Sequence, residues 1–277
     1  PLVLHTFYTQ DATAISRWAA GLDLGSDQAT FFNMLDTHDG IGVMGVKGIL
    51  ESEEIESLVD RAKEHGAFIG YKSTEFGEGP YEINSTWWSA INRDDSEEDL
   101  ALRVKRYVAS RTMALVIKGV PGIYTHGVLA LANKRGLVEQ TGVKRDINRG
   151  VIDPDRFAKQ LRDPSSKRSL LQKAFGDIGL IRTGNRAFHP QGGQRVLSAS
   201  PAVFAVLRTS PEGDQRVLSL INVTEGATRF EIGVDDLGSG ASMWSDLLSD
   251  LQLTLTDGRL SIDLEPYAVV WLTPSAD

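Results

Sequence analysis

The residues best suited to chemistry stand at the end of a short apolar run, residues 31–35. The residues that follow the run are Asp36, Thr37, His38 and Asp39. Parallel barrel strands end in polar residues of this kind, because barrel active sites lie at the carboxyl ends of the strands. His38 and Asp39 are therefore the first candidates for an active site. A plain turn, in which Asp36 and Asp39 only cap the next segment, explains the same four residues equally well in isolation.

Three further motifs follow this cluster along the chain: Tyr81–Trp88 (YEINSTWW), Gly119–Tyr124 (GVPGIY) and Lys144–Arg149 (KRDINR). Together with Leu35–Val43, they resemble glycoside hydrolase family 13, the α-amylase superfamily. The resemblance is to the form found in sucrose phosphorylase and glucosylglycerol phosphorylase. A lone His-Asp pair would identify nothing, whereas four motifs in the family's order, spread over residues 1 to about 180, are specific.

The resemblance implies an α/β fold, the carboxyl-terminal part of a (β/α)8 TIM barrel followed by a small all-β antiparallel domain. We expect the barrel part in residues 1–185, with a loop and helix insertion at about 40–92, and the sheet domain in residues 186–277. By the resemblance, the apolar run is barrel strand seven and Gly119–Tyr124 is strand eight. The family's nucleophile and acid/base come from strands four and five. We therefore expect the intact enzyme to be longer than this chain.

The resemblance also implies roles for individual residues in a retaining reaction, which passes through an oxocarbenium-like transition state. Asp39 would be the third carboxylate of the family, a transition-state stabiliser that accepts hydrogen bonds from sugar hydroxyls. His38 would donate to a neighbouring sugar hydroxyl. Tyr81 and Arg149 would bind phosphate, and Arg145 is a weaker candidate for the same task.

Glu82 departs from the pattern of the sucrose enzymes, which carry glutamine at the matching position and contact fructose with it. Gly122 and Thr125 also depart from that pattern. These differences favour relatives that act on glucosylglycerol or glucosylglycerate, with Glu82 accepting hydrogen bonds from the acceptor. The expected activity is the reversible cleavage of an α-glucoside by phosphate to give glucose 1-phosphate, with sucrose as a further possible substrate.

Two alternatives to a phosphorylase stay open. The first is a hydrolase or transglucosidase of the same superfamily, and the basic Lys144–Arg149 stretch counts against it. The second is a non-catalytic carbohydrate-binding fragment, which the absence of the nucleophile and the acid/base would favour.

Composition narrows the possible partners. The formal charge of -8 argues against nucleic acid or an anionic membrane, because both select a basic surface. Cysteine is absent, which removes disulfides and thiolate metal sites. We expect a cytoplasmic enzyme that has a small sugar and inorganic phosphate as partners, needs no metal or cofactor, and forms a possible homodimer.

Local patterns predict the elements that position these residues. Residues 1–22 are interpreted as helical with Asp11 as the cap, although Leu2–Leu4 also suits an extended segment. Residues 40–48 are interpreted as a mobile loop and residues 76–82 as an exposed loop that leads into a short extended piece. Ser52 and Ser96 are predicted to cap two further helices, and residues 166–175 are predicted to form the last barrel helix. Strands are predicted over 203–207, 217–221 and 267–272.

Overall fold

The computed structural model of the chain describes residues 1–74 and 77–275. The chain forms two compact units. The first comprises Pro1–Tyr8, Met34–Val108 and Gly122–Phe175, and the second comprises Thr9–Asn33, Ala109–Pro121 and the chain from Gly176 onward. The predicted division into residues 1–185 and 186–277 stays a prediction.

The helices alternate with strands over the first two thirds of the chain. The helices are α1 (Leu2–Thr9), α2 (Thr13–Ala20), α3 (Ser52–Glu64), α4 (Trp87–Ile91), α5 (Leu100–Val116), α6 (Thr125–Val128), α7 (Arg135–Thr141), α8 (Pro154–Arg162) and α9 (Lys167–Gly184). The strands are β1 (Phe32–Met34), β2 (Ile41–Gly42), β3 (Phe68–Thr74), β4 (Gly77–Asn84), β5 (Val120–Gly122), β6 (Gly193–Val196), β7 (Val203–Thr209), β8 (Arg216–Asn222), β9 (Thr228–Gly233), β10 (Met243–Asp246), β11 (Gln252–Thr254), β12 (Arg259–Leu264) and β13 (Val269–Pro274).

Strands β1 and β5 are the two predicted barrel strands, and they pair with each other. The Val120 amide donates to the Phe31 carbonyl at 2.8 Å. The prediction of a buried strand after Phe31 was wrong for its side chains, because Phe32 is 65% exposed and Met34 is 43% exposed. Among the described strands β1 pairs with β5 alone, so no further strand covers its other edge.

A three-stranded antiparallel sheet, in the order β2-β4-β3, follows β1 in the chain. It includes part of the segment interpreted as a mobile loop, because Ile41–Gly42 pairs with β4. The apolar residues Ile41, Val43 and Val46 are buried, and this burial holds the glycine-rich segment in place. Phe76, in the predicted exposed loop, lies outside the described residues, and the rest of that segment from Gly77 belongs to β4.

Two helices, α3 and α5, are capped by residues other than those predicted. Helix α3 begins at Ser52 itself, and its cap is Glu51, which forms a reciprocal capping box with Glu54. In front of α5, the Asp99 side chain accepts from the Ala101 amide at 2.7 Å, whereas Ser96 lies outside the helix.

The other predicted helices are present, but their first and last residues differ from those predicted. The predicted helix over residues 1–22 is two helices, α1 and α2, and Asp11 accepts from the Thr13 amide at 2.7 Å in front of the second. Leu2–Leu4 is helical. Helix α9 begins where it was expected but extends to Gly184.

The second unit contains two antiparallel sheets. The larger has the strand order β11-β10-β13-β8-β7-β6, and the smaller pairs β12 with β9. A core of apolar side chains from both sheets includes Trp244, Phe230 and Leu218, each at most 1% exposed. The predicted strands over 203–207 and 217–221 lie in β7 and β8, and the one predicted over 267–272 overlaps β13, which begins two residues later, at Val269. Alternate residues of these strands face this core.

Arg208, on β7, is a fully buried cation in the second unit. Its guanidinium donates to three backbone carbonyls, those of Gly193 at 3.1 Å, Val116 at 3.0 Å and His189 at 2.9 Å. Burial lowers the pKa of Arg208 to about 10. The side chain therefore joins three segments of the unit, and at Val116 its donor lies against a buried residue.

Arg208→Met is expected to lower the free energy of unfolding by about 2 kcal/mol, because it removes the bond to the buried Val116 carbonyl and the two further bonds that join the segments. The exposed Arg195→Met on the neighbouring strand serves as the matched control and should change it by less than about 0.5 kcal/mol. Urea unfolding followed by near-ultraviolet circular dichroism measures both. Equal effects of the two substitutions would contradict the structural role of Arg208.

Candidate active site

The residues predicted for the site come from three separate segments of the first unit. His38 and Asp39 follow β1, Tyr81 and Glu82 lie on β4, and Arg145 belongs to the 3-10 helix Lys144–Asn148. Arg149 follows that helix directly. The fold joins Asp39, Glu82, Arg145 and Arg149 by ion pairs, and we call these four residues the carboxylate–arginine cluster.

Arg145 connects the two carboxylates of the cluster. Its Nε and Nη2 donate to the two oxygens of Glu82 at 3.1 and 2.8 Å, and its Nη1 donates to Asp39 Oδ1 at 3.1 Å. The hydrogen bonds and charge of Glu82 raise the pKa of Arg145, and the charge of Asp39 adds to this. The weaker candidate from sequence is thus the central cation of the cluster.

Arg149 contacts the same oxygen of Asp39 from another direction. Its Nη2 lies 3.3 Å from Asp39 Oδ1, its Nη1 donates to Asp146 at 3.1 Å, and its Nε donates to the His38 carbonyl at 3.1 Å. His38 Nε2 is 3.6 Å from that oxygen as well. Among the described residues, no hydrogen bond or ion pair reaches Asp39 Oδ2. The carboxylate is therefore held through one oxygen while the other can accept from a ligand.

Backbone contacts fix the loop that carries Asp39. The Asn148 side-chain amide donates to the Asp39 carbonyl at 2.6 Å, and the Gly40 amide donates to Glu82 Oε1 at 3.2 Å. A Cβ at Gly40 would lie 2.4 Å from Glu82 Cγ and 2.8 Å from the Ile83 carbonyl. Only glycine allows the loop to approach β4 this closely.

Tyr81 and Glu82 would point to opposite faces of a regular strand, since side chains alternate. In β4 the pairing passes from Gly70↔Glu82 to Tyr71↔Pro80, so Tyr81 is the extra residue of a β-bulge. A Cβ at Gly70 would meet both Tyr81 Cε1 at 2.9 Å and Glu82 Cβ at 3.4 Å. The bulge therefore brings both side chains to the same glycine, as bulges next to active sites often do.

Glu82 is less accessible than the sequence suggested, because its side chain is only 7% exposed and its carboxylate is bound by Arg145 and the Gly40 amide. His38, at 66% exposed, and Asp39, at 37%, are the accessible members of the motif. The roles assigned to these residues stay predictions.

Sequence reasoning did not single out Asp146, Asn148 and Tyr124. The first two fix Arg149 and the Asp39 loop, and they belong to the KRDINR motif already quoted. Burial raises the pKa of Tyr124, with the charge of Asp36 raising it and that of Arg149 lowering it, so its phenol lies near the site. The signal was present in the motifs, but their spacing alone does not say which members make contact.

Along its whole length, the chain is 39% identical over 282 residues to the glucosylglycerate phosphorylase of Spirochaeta thermophila. The chain therefore resembles part of a sugar phosphorylase. A second relative, the glucosylglycerate phosphorylase of Allomeiothermus silvanus, is 39% identical over 81% of this chain and 40% of its own length. The sucrose phosphorylase of Streptococcus mutans is 29% identical over 81% of this chain and 44% of its own.

The chain spans about half the length of the curated relatives that it matches, since it covers 48% of the Spirochaeta enzyme. No protein-family model matches it.

Two solved structures of the family's fold match the described chain. The sucrose 6F-phosphate phosphorylase of Thermoanaerobacter thermosaccharolyticum has a TM-score of 0.64 at 23% identity, over 80% of this chain and 42% of its own. The α-amylase of Geobacillus thermoleovorans has a TM-score of 0.60 at 12% identity, over 99% of this chain and 47% of its own. These matches confirm the predicted fold class, part of a (β/α)8 barrel followed by an antiparallel sheet domain.

Glu82→Gln tests the support that the Glu82–Arg145 pair gives to the cluster. The change keeps the shape of the side chain but removes its charge, so it should cost about 2 kcal/mol of unfolding free energy, the scale of hydrogen bonds to a charged group. Glu78→Gln, on the exposed part of the same strand, is the matched control and should be close to neutral. Thermal and urea unfolding measure the difference, and a neutral Glu82→Gln would show that the pair does not stabilise the site.

Proposed function

We propose that the whole protein is a retaining glycoside phosphorylase that reversibly cleaves an α-glucoside with phosphate to give glucose 1-phosphate. The match of the entire chain to a glucosylglycerate phosphorylase at 39% identity carries this proposal. Glucosylglycerate is the substrate that we propose, because the first three relatives share that name. Sucrose is the second candidate, supported by sucrose phosphorylases of 29 to 33% identity.

Asp39 is proposed to stabilise the transition state. Arg145 and Arg149 hold Oδ1, which fixes the direction of the carboxylate. Its Oδ2 would then accept hydrogen bonds from the sugar hydroxyls beside the reacting carbon, and such bonds strengthen as positive charge develops on the sugar. The exposed His38 imidazole would donate to a neighbouring hydroxyl.

Phosphate must replace water as the attacking group, so its site needs positive charge and hydrogen-bond donors. A guanidinium has five N–H donors, and Arg149 uses three of them on His38, Asp39 and Asp146. Two therefore remain for a phosphate oxygen, and Tyr81 would add its hydroxyl. In the step itself, a phosphate oxygen forms a bond to the anomeric carbon while the bond from that carbon to the enzyme carboxylate breaks and its electron pair returns to the carboxylate.

The reaction needs two further carboxyl groups, a nucleophile and an acid/base. No residue of this chain is assigned to either role. The hydrolase and binding-fragment alternatives have no better support than the phosphorylase. Among the described residues, no helix is long and apolar enough to cross a membrane. A homodimer and a cytoplasmic location stay predictions.

Arg149→Ala should reduce phosphorolysis far more than hydrolysis of the same glucoside, because water needs no counter-charge and phosphate does. With the full protein, the rate of glucose 1-phosphate formation measures phosphorolysis, and the rate of glucose formation measures hydrolysis. Arg135→Ala is the control, since that guanidinium lies over the Phe68 ring and donates to the Gly66 carbonyl. An equal loss in both reactions would place Arg149 among residues that only support the fold.

The acceptor is tested in the synthetic direction from glucose 1-phosphate. Glycerate should react faster than fructose by about tenfold or more, which corresponds to about 1.4 kcal/mol, the scale of one charge-assisted hydrogen bond. Glycerol should also react faster than fructose. Phosphate release with each acceptor measures the order. A preference for fructose would favour a sucrose phosphorylase instead, while no phosphate release with any acceptor would contradict the phosphorylase itself.

A further inference from the structure

The peptide group that joins Asn148 to Arg149 is held at both of its polar atoms. The Arg149 amide donates to the Asp146 carbonyl at 3.1 Å, at the end of the 3-10 helix Lys144–Asn148. The Asn148 carbonyl lies 2.7 Å from Nδ1 of His126. The plane of this peptide group sets the direction in which the Arg149 side chain leaves the backbone, so the two bonds bear on where its guanidinium lies.

His126 lies on the short helix α6, just beyond the GVPGIY motif. A carbonyl oxygen can only accept a hydrogen bond, so Nδ1 of His126 carries a proton and donates to the Asn148 carbonyl. The imidazole also packs against the Tyr124 ring, with ring centroids 4.9 Å apart and planes tilted by 35°. This ring contact restricts the rotation of the imidazole and keeps its donor directed at one acceptor.

The Asn148 side chain extends the connection to the loop that carries Asp39. Asn148 is 3% exposed, and its Nδ2 donates to the Asp39 carbonyl at 2.6 Å. Among the residues that the structure describes, none donates to its buried Oδ1. An unused buried acceptor costs free energy, so the amide is held by its donor end alone. His126 and Asp39 are therefore linked through the backbone and the side chain of one residue.

The contacts of Arg149 are sensitive to the position of its backbone. Its Nε donates to the His38 carbonyl at 3.1 Å, and its Nη2 lies 3.3 Å from Asp39 Oδ1. The usual range for such bonds is about 2.7–3.2 Å, so the first is near the upper limit and the second is beyond it. A small rotation of the preceding peptide group would break the contact with Asp39 and move the donors that remain for phosphate.

We propose that His126 is a positioning residue of the phosphate site. It fixes the peptide group of Arg149 and, through Asn148, the loop of Asp39, without touching the substrate itself. This inference rests on the proposed function and adds to it a residue that lies outside the carboxylate–arginine cluster.

Two substitutions separate the donor of His126 from its ring. His126→Phe keeps an aromatic ring beside Tyr124 and removes the donor, whereas His126→Asn removes the ring and keeps an N–H near the place of Nδ1. In the full protein, His126→Phe should raise KM for inorganic phosphate by about tenfold or more, because a small misplacement of a binding group is costly. Hydrolysis of the same glucoside should fall less. His126→Asn should restore most of the loss, and Val128→Ala, exposed on the same helix, should match the wild type.

A double variant shows whether His126 acts through Arg149. Substitutions that affect the same contact do not have additive effects, so His126→Phe should cause little further loss of phosphorolysis in the Arg149→Ala background. Near-ultraviolet circular dichroism and thermal unfolding check that each variant is folded. If the phenyl ring does not fit, His126→Leu removes the donor with a smaller side chain and answers the same question.

The outcomes distinguish this inference from the function on which it rests. A wild-type protein that forms no glucose 1-phosphate would contradict the proposed function, and the inference with it. If the wild type forms glucose 1-phosphate, an unchanged KM for phosphate in His126→Phe and His126→Leu would overturn the role of His126 alone. An equal loss in His126→Asn and His126→Phe, or fully additive effects with Arg149→Ala, would overturn it as well.

Discussion

The ion pair between Glu82 and Arg145 is the interaction on which the candidate site depends. It is buried on the carboxylate side, uses both oxygens, and joins β4 to the 3-10 helix Lys144–Asn148. Arg145 also donates to Asp39 through Nη1, and Glu82 Oε1 also accepts from the Gly40 amide. Three segments distant in sequence therefore share one pair of side chains, and the free oxygen of Asp39 takes its direction from that pair.

Arg208 shows how the fold accommodates a buried cation. Its guanidinium donates to three carbonyls of its own unit, and these hydrogen bonds offset the free-energy cost of removing the charge from water.

The fold class and the two barrel strands were predicted from the resemblance of four motifs to a known family, whereas the strands of the sheet domain were predicted from local apolar runs bounded by turns. The sequence also selected the residues that meet at Asp39. The burial of Glu82, the bulge at Tyr81 and the central place of Arg145 depend on contacts between distant segments, which spacing does not encode. The caps of α3 and α5 were missed because Glu51 and Asp99 compete with nearby serines for the same role.

Gly40 has a consequence for how this sequence can vary. A methyl group there would overlap Glu82 Cγ, so the two positions are sterically linked across the sheet. A shorter residue at 82 would not admit a larger one at 40, because the Ile83 carbonyl would still lie 2.8 Å from the added Cβ. A side chain at 40 therefore requires the loop to move away from β4, and that movement would carry the Asp39 carboxylate away from Arg145.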